Sequence, residues 1–329
     1  MGVLAYLIIA FVKVLVVFTA MLTIVAYMTL MERKVLGHMQ VRYGPNRVGP
    51  FGLLQPVADG IKLFFKEDII VPFANRLIYI FAPTVIVITA LMSYAVIPFG
   101  DTVTLLGYKI DLVVADVNVG LLYLFAISSL GVYGVAMGGW ASNNKYSLLG
   151  AIRASAQMIS YELSLGLSII GILMITGSLS MTKIVEAQSE IWFVCLQPLG
   201  FIIYLISAAA ETNRTPFDLT ECENELVAGY QTEYSSMKFG LYYLAEYAHI
   251  LVVSSLAVTL FFGGWHGPFL PPVIWFLIKV FIFIFVFIWI RATFPRLRYD
   301  QLMKFGWKIL FPLSLLNIFL TAVVMTLLA

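Results

Sequence analysis

The sequence predicts an all-α, polytopic membrane protein with about eight transmembrane helices and one amphipathic helix lying in the membrane interface. Three observations predict it. The 329-residue chain is 61% hydrophobic and 12% charged, about half the roughly 25% charge of a soluble domain. Its mean hydropathy is +0.95. Apolar runs of about 20 residues, long enough to cross ~30 Å of hydrocarbon, recur from end to end. Backbone groups in lipid must pair within their own segment, so these runs read as helices.

The first run, 3–31, is longer than the apolar region of a signal peptide, about 7–15 residues, and lacks a basic leader. It reads as a retained span. In the loop that follows, Gly44-Pro45-Asn46 and Val48-Gly49-Pro50 signal turns. Over 53–66, Leu54, Val57, Ile61, Phe64 and Phe65 recur at helical spacing, with Gln55, Asp59, Lys62 and Lys66 largely opposite. That pattern suits a helix lying apolar face down in the interface. Further spans are read at 77–98, 117–139, 159–178, 191–210, 238–262, 272–291 and 309–328. The glycines of Gly131 to Gly138 read as close helix packing. No internal repeat divides the chain, so 1–329 is treated as a single membrane domain.

Lys and Arg orient it. Sixteen of the twenty fall in the loops at 32–76, 140–158, 211–238 and 292–308, counting Arg291 at a helix end. The opposite loops hold Lys109 and Lys183; Lys13 and Lys279 fall within spans. Basic loops face the cytoplasm, or the matrix in an organelle, which puts both termini on the outer side.

Charges within or at the ends of spans need explaining, because each costs about 2.5–3.5 kcal/mol at mid-helix. Glu246 lies inside the sixth span, Glu162 opens the fourth, Glu211 ends the fifth and Lys279 lies in the seventh. Lys279 reads as a partner to a buried acid or a snorkelling cation. From Glu211 to Glu233 the chain carries six carboxylates, Glu211, Asp218, Glu221, Glu223, Glu225 and Glu233, with one arginine, Arg214. Composition alone would make this a solvated acidic loop. Its apolar interruptions, Phe217, Leu219, Leu226 and Val227, and its position between spans argue otherwise. Crowded carboxylates resist joint ionisation and share protons, which is what a proton relay requires.

Other chemistries are excluded. With two cysteines and three histidines, the chain has too few ligands for an iron–sulfur cluster, and no metal site is expected. Cys222 on the reducing side argues against a disulfide. A net charge of +2 gives no basis for a nucleic-acid partner. There is no G-x-G-x-x-G, Walker A or H-E-x-x-H motif. His38, His249 and His266 stand alone and read as structural or interfacial.

Several long motifs, in order, carry a resemblance. They are Glu32-Arg33-Lys34, Arg42-Tyr43-Gly44-Pro45-Asn46-Arg47-Val48-Gly49 and Asp59-Gly60-Ile61-Lys62. Arg153 through Glu162, Ala210 through Leu219 and Arg291 through Leu302 complete the set. Together they resemble the quinone-site membrane subunit of proton-pumping NADH:quinone oxidoreductase, respiratory complex I. The resemblance implies a chain without redox centres, with quinone as substrate and FMN and iron–sulfur clusters in partner subunits. Those partners would be the peripheral-arm quinone-site and iron–sulfur subunits, small membrane subunits, antiporter-like subunits and membrane lipid. The setting would be a bacterial inner membrane, or the mitochondrial one if organellar. By matching motif, Arg33, Arg42, Asp59, Arg153, Arg214, Arg291 and Arg298 would lie at the quinone chamber or its docking surface. Glu211 would lie there too, and in the coupling series with Glu162, Asp218, Glu221, Glu223, Glu225, Glu233 and Glu246.

One departure stands out. The family's Glu-Gly-Glu-Ser-Glu is here Glu221-Cys222-Glu223-Asn224-Glu225, so a loop that needs glycine's freedom would be strained. Two other classes stay open: a similar subunit of a hydrogenase-, formate- or ferredoxin-linked complex, and an autonomous transporter, against which the lack of inverted repeats argues.

Overall fold

The computed structural model describes residues 3–105, 108–218 and 226–328. Among them, seven helices are long and apolar enough to cross a membrane, and the chain is a multi-pass membrane protein. α1 (Val3–Met39) is an unbroken 37-residue helix. It stops where Val41 turns left-handed at φ 55°. The loop then folds back on α1: a Cβ on Gly44 would stand 2.9 Å from both Arg33 O and Lys34 Cα.

α2 (Gln55–Phe65) opens with Pro56 in its first turn, where no N–H is needed. Val57, Ile61, Phe64 and Phe65 remain exposed, the free apolar face an interfacial helix requires. Polar ties hold its other side. Arg33 Nη1 pairs with Asp59 Oδ2 at 2.6 Å, and Lys238 Nζ with Asp68 at 2.9 Å. Ser236 Oγ donates to the carbonyls of Leu63 and Lys66 at 3.0 and 2.9 Å.

α3 (Arg76–Ser93) and α4 (Gly120–Ala141) pack closely because glycines let them. A Cβ on Gly134 would collide with Ile86, and one on Gly138 with the Tyr242 hydroxyl. Between them lies a feature absent from the sequence reading, an antiparallel hairpin of β1 (Thr102–Leu105) and β2 (Tyr108–Asp111). α5 (Lys145–Thr176) begins well before the expected 159, capped by the Asn144 side chain and ended by left-handed Gly177. Hydropathy reports the depth of lipid, while this helix continues beyond it on polar residues.

The expected fifth span is broken. α6 (Met181–Glu186) and α7 (Phe193–Leu196) are short, and α8 (Pro198–Glu211) restarts at a proline. At about 21 Å, α8 is shorter than the hydrocarbon core. The break carries Gln197, whose amide is satisfied by Thr321 at 2.8 Å and Asn317 at 3.0 Å. α9 (Ser236–Phe261) is the central post, buried along nearly its whole length. α10 (Pro272–Thr293) packs beside it. Among the described residues no acid pairs with its Lys279. The ammonium donates to the carbonyls of Phe262, Gly264 and His266 at 2.7, 3.1 and 2.7 Å, closing the end of α9. α11 (Tyr299–Phe305) runs through a π-helical turn, Gly306–Leu310, into α12 (Phe311–Leu328).

Candidate functional site: a buried charge network beside a polar cavity

The site forms where α8 ends. Thr212 N bonds back to Ala208 O, and Asn213 then turns left-handed at φ 52°. Gln157 of α5 staples this turn, donating to Ala210 O at 2.7 Å and Phe217 O at 2.9 Å. The turn aims Arg214 inward, between α1, α9 and α10.

There Arg214 meets Glu32 of α1. Arg214 Nη1 donates to Glu32 Oε1 at 3.0 Å, and the Tyr247 hydroxyl donates to Oε2 at 2.6 Å. Arg291 of α10 pairs with the same carboxylate. On its other side, the Arg214 guanidinium pairs with Glu246 of α9 and lies 4.4 Å over the Tyr247 ring. Two carboxylates and two guanidiniums thus balance in charge. That balance matters because an unpaired buried ion costs several kcal/mol. Burial alone would weaken the hold of Arg214 on its proton. The Glu246 carboxylate, Tyr247 and Tyr243 together outweigh this and raise the guanidinium further above its ordinary value.

Glu246 also lines a second feature, a polar cavity of about 50 Å³, roomy enough for a few water molecules. Glu211, Asn213, Tyr242 and His249 share its wall. Glu246 Oε2 has no hydrogen-bond partner among the described residues. Glu211 lies 3.4 Å from His249 Nε2, and Glu162 of α5 is within electrostatic reach of both. Glu246 therefore has one oxygen in the charge network and a face on the cavity. Asp218 is held at 3.0 Å by Arg296 and acts electrostatically on Glu246. Among the described residues no three His, Cys, Asp or Glu side chains group as metal ligands do.

The structure brings together Glu211, Arg214, Glu246 and Arg291, with Glu162 and Asp218 close by. Arg33 and Asp59 form the tether of α2. Glu233 stands apart, accepting from Asn144 Nδ2 at 2.5 Å. So do Arg153, over the Tyr299 ring, exposed Arg42, bonded to Gln40, and Arg298, bonded to Asp300 and 78% exposed. Glu221, Cys222, Glu223 and Glu225 lie outside the described residues. Sequence reasoning did not single out Glu32, Tyr247, His249 or Gln157 as site residues. For Glu32 a signal existed: apolar Val35 and Leu36 carry the helix past Met31, so Glu32 is inside α1 rather than at its end.

The chain is matched over residues 12–322 by the family described as NADH dehydrogenase. It is 58% identical to an H subunit of the NADH-quinone oxidoreductase of Syntrophobacter fumaroxidans, over 94% of this chain and 93% of the relative. It is 56% identical to the H subunit of the same enzyme from Syntrophotalea carbinolica, over 96% of each. The corresponding chain of Thermomicrobium roseum is 53% identical over 97% of this chain and 96% of that one. The match runs through the spans and the charge network alike, and on it the chain belongs to the NADH dehydrogenase family, as a membrane subunit of NADH-quinone oxidoreductase, respiratory complex I.

Proposed function

We propose that this chain forms the membrane side of the quinone chamber and couples quinone reduction to proton translocation through its carboxylates. The observation that carries this is the double position of Glu246, paired with Arg214 on one side and facing the polar cavity on the other. Reducing a quinone consumes protons and changes charge where it happens. A change beside Glu32, Arg214 and Arg291 alters how strongly Arg214 holds Glu246. A carboxylate released from its arginine takes up a proton more readily. The cavity offers Glu246 and Glu211 as successive acceptors, Glu162 lies beyond its lining within electrostatic reach of Glu211, and Asp218, Glu221, Glu223, Glu225 and Glu233 extend the series in sequence.

The remaining assignments follow from this reading. The basic loops face the cytoplasm across a bacterial inner membrane, with both termini outside. Arg42, Arg153 and Arg298 lie on the surface that receives the peripheral-arm subunits, which carry FMN and the iron–sulfur clusters. The small membrane and antiporter-like subunits receive the protonic signal. The relatives' names favour a quinone-linked complex over a hydrogenase-linked one or a lone transporter.

The test uses the assembled complex in proteoliposomes. Glu246→Gln and Glu223→Gln should each depress quinone reduction and proton pumping together. Reduction of a hydrophilic acceptor by the peripheral arm should stay intact. Full quinone-linked pumping in both variants overturns the reading.

A further inference from the structure

We propose that His249 is a proton-transferring group of this path, moving protons between Glu211 and Glu162 through water in the polar cavity. The inference rests on the proton-path reading above and adds an imidazole to it.

The geometry is specific. His249 lies one turn from Glu246 on α9, and both line the cavity. Its Nε2 stands 3.4 Å from Glu211 Oε1 yet has no aligned hydrogen bond among the described residues. A histidine kept for structure would spend that nitrogen on a partner, because a buried polar atom left unpaired costs about 1–3 kcal/mol. Here it is left facing a carboxyl group and a cavity large enough for water. An imidazole accepts a proton at one nitrogen and can give it up again near neutral pH.

The charged surroundings are accounted for element by element. α8 supplies Glu211, α5 supplies Glu162 and α9 supplies Glu246. Arg214, on the turn after α8, is engaged by Glu246 and Glu32. α3 and α4 line the cavity with apolar residues and the hydroxyls of Thr89, Ser93 and Ser128 but no charged group, and Tyr230 and Tyr242 present phenols. Among the described residues His249 therefore sits among carboxylates with no free cation against it, an arrangement that tolerates a transient imidazolium.

The step balances. The O–H bond of a protonated Glu211 breaks and an N–H bond forms at Nε2, leaving a carboxylate beside an imidazolium. The imidazolium passes its proton to a cavity water, and from there it is relayed to the Glu162 carboxylate, which lies beyond the cavity lining within electrostatic reach of His249. One proton has moved from Glu211 to Glu162 and no electron has moved.

The test compares His249→Gln, His249→Asn and Glu211→Gln in the assembled complex, with rates normalised to intact complex. Gln and Asn keep hydrogen-bonding capacity but do not carry a proton. The expected result is at least a tenfold loss of pumping-coupled quinone reduction in both histidine variants. The pH dependence of the coupled rate should flatten. Wild-type rates overturn the proposal. So does a lowered rate with an unchanged pH profile, which assigns His249 to packing. If Glu211→Gln keeps full pumping, the underlying proton-path reading fails; if it is impaired while the histidine variants are normal, only the role of His249 fails.

Discussion

Glu32 on α1 and Arg214 on the turn after α8 are 182 positions apart in sequence and 3.0 Å apart in space. Their side chains are 5% and 7% exposed. The contact locks the first span to the turn that opens the acidic segment, and it does so with charges that cannot be solvated.

Removing one partner of such a pair strands the other. Glu32→Gln should therefore destabilise the assembled complex by roughly 3 kcal/mol, the lower end of the range for breaking a buried ion pair. The lower end applies because Arg214 keeps Glu246, and Arg291, 32% exposed, can turn to water. Pairing Glu32→Gln with Arg291→Gln should cost less than the sum of the two single changes, since both remove the same contact. Thermal inactivation of quinone reductase activity measures all three, and strictly additive losses would show that the network is not coupled.

Much of this could be read from the sequence. Hydropathy located the spans at 77–98, 238–262 and 272–291 to within a few residues, because lipid imposes length and apolarity directly. The apolar face of α2 was visible in the spacing of Val57, Ile61, Phe64 and Phe65. The break at Gln197 was hidden, since residues 191–210 stay apolar across it and its polar partners, Asn317 and Thr321, come from the far end of the chain. The site was half legible. Glu246 and Glu211 stood out as charges at membrane depth. Glu32 was masked by the neighbouring Arg33 and Lys34, which read as a helix end. His249 looked isolated because its neighbour Glu211 is remote in sequence.

Lys279 gives a cleaner structural test. Its ammonium closes three carbonyls at the end of α9, and hydrogen bonds to a charged group are worth about 1.5–3 kcal/mol each. Lys279→Met keeps the length of the stem and removes all three. It should lower the stability of the complex by roughly 2–5 kcal/mol while activity per intact complex stays near wild type. A selective loss of pumping at unchanged stability would instead make Lys279 part of the proton path.

Two glycines should respond differently. A Cβ at Gly134 meets Ile86 and stands 3.0 Å from Ala82 O, so Gly134→Ala forces α3 and α4 apart at a cost of about 1–3 kcal/mol. Gly166, inside α5, has nothing within 4 Å of where a Cβ would stand. Gly166→Ala should be neutral or stabilising by up to about 1 kcal/mol through helix propensity. The fraction of complex surviving a fixed heat step distinguishes them, and equal losses at both sites would mean that helix contact is not what selects glycine at 134.

The tether of α2 should be insensitive to pH over the working range. Burial alone would raise the Asp59 carboxyl, but hydrogen bonds from Arg33 and Gln55 and the charges of Arg33 and Lys62 hold it below its ordinary 3.8. A depressed carboxyl contributes stability that is fully present above its unfolded value and is lost as pH falls through the folded one. Between pH 6 and 8 the contribution is therefore constant. The Arg33–Asp59 pair lies near the surface, where such pairs are worth up to about 1 kcal/mol, so Asp59→Asn should speed amide exchange over 55–65 by at most about fivefold. After correction for intrinsic exchange, the factor should be the same at pH 6 and pH 8. A factor that grows toward either end of that window would mean that a group titrating near neutrality, rather than the Arg33–Asp59 pair, holds α2 with its apolar face free.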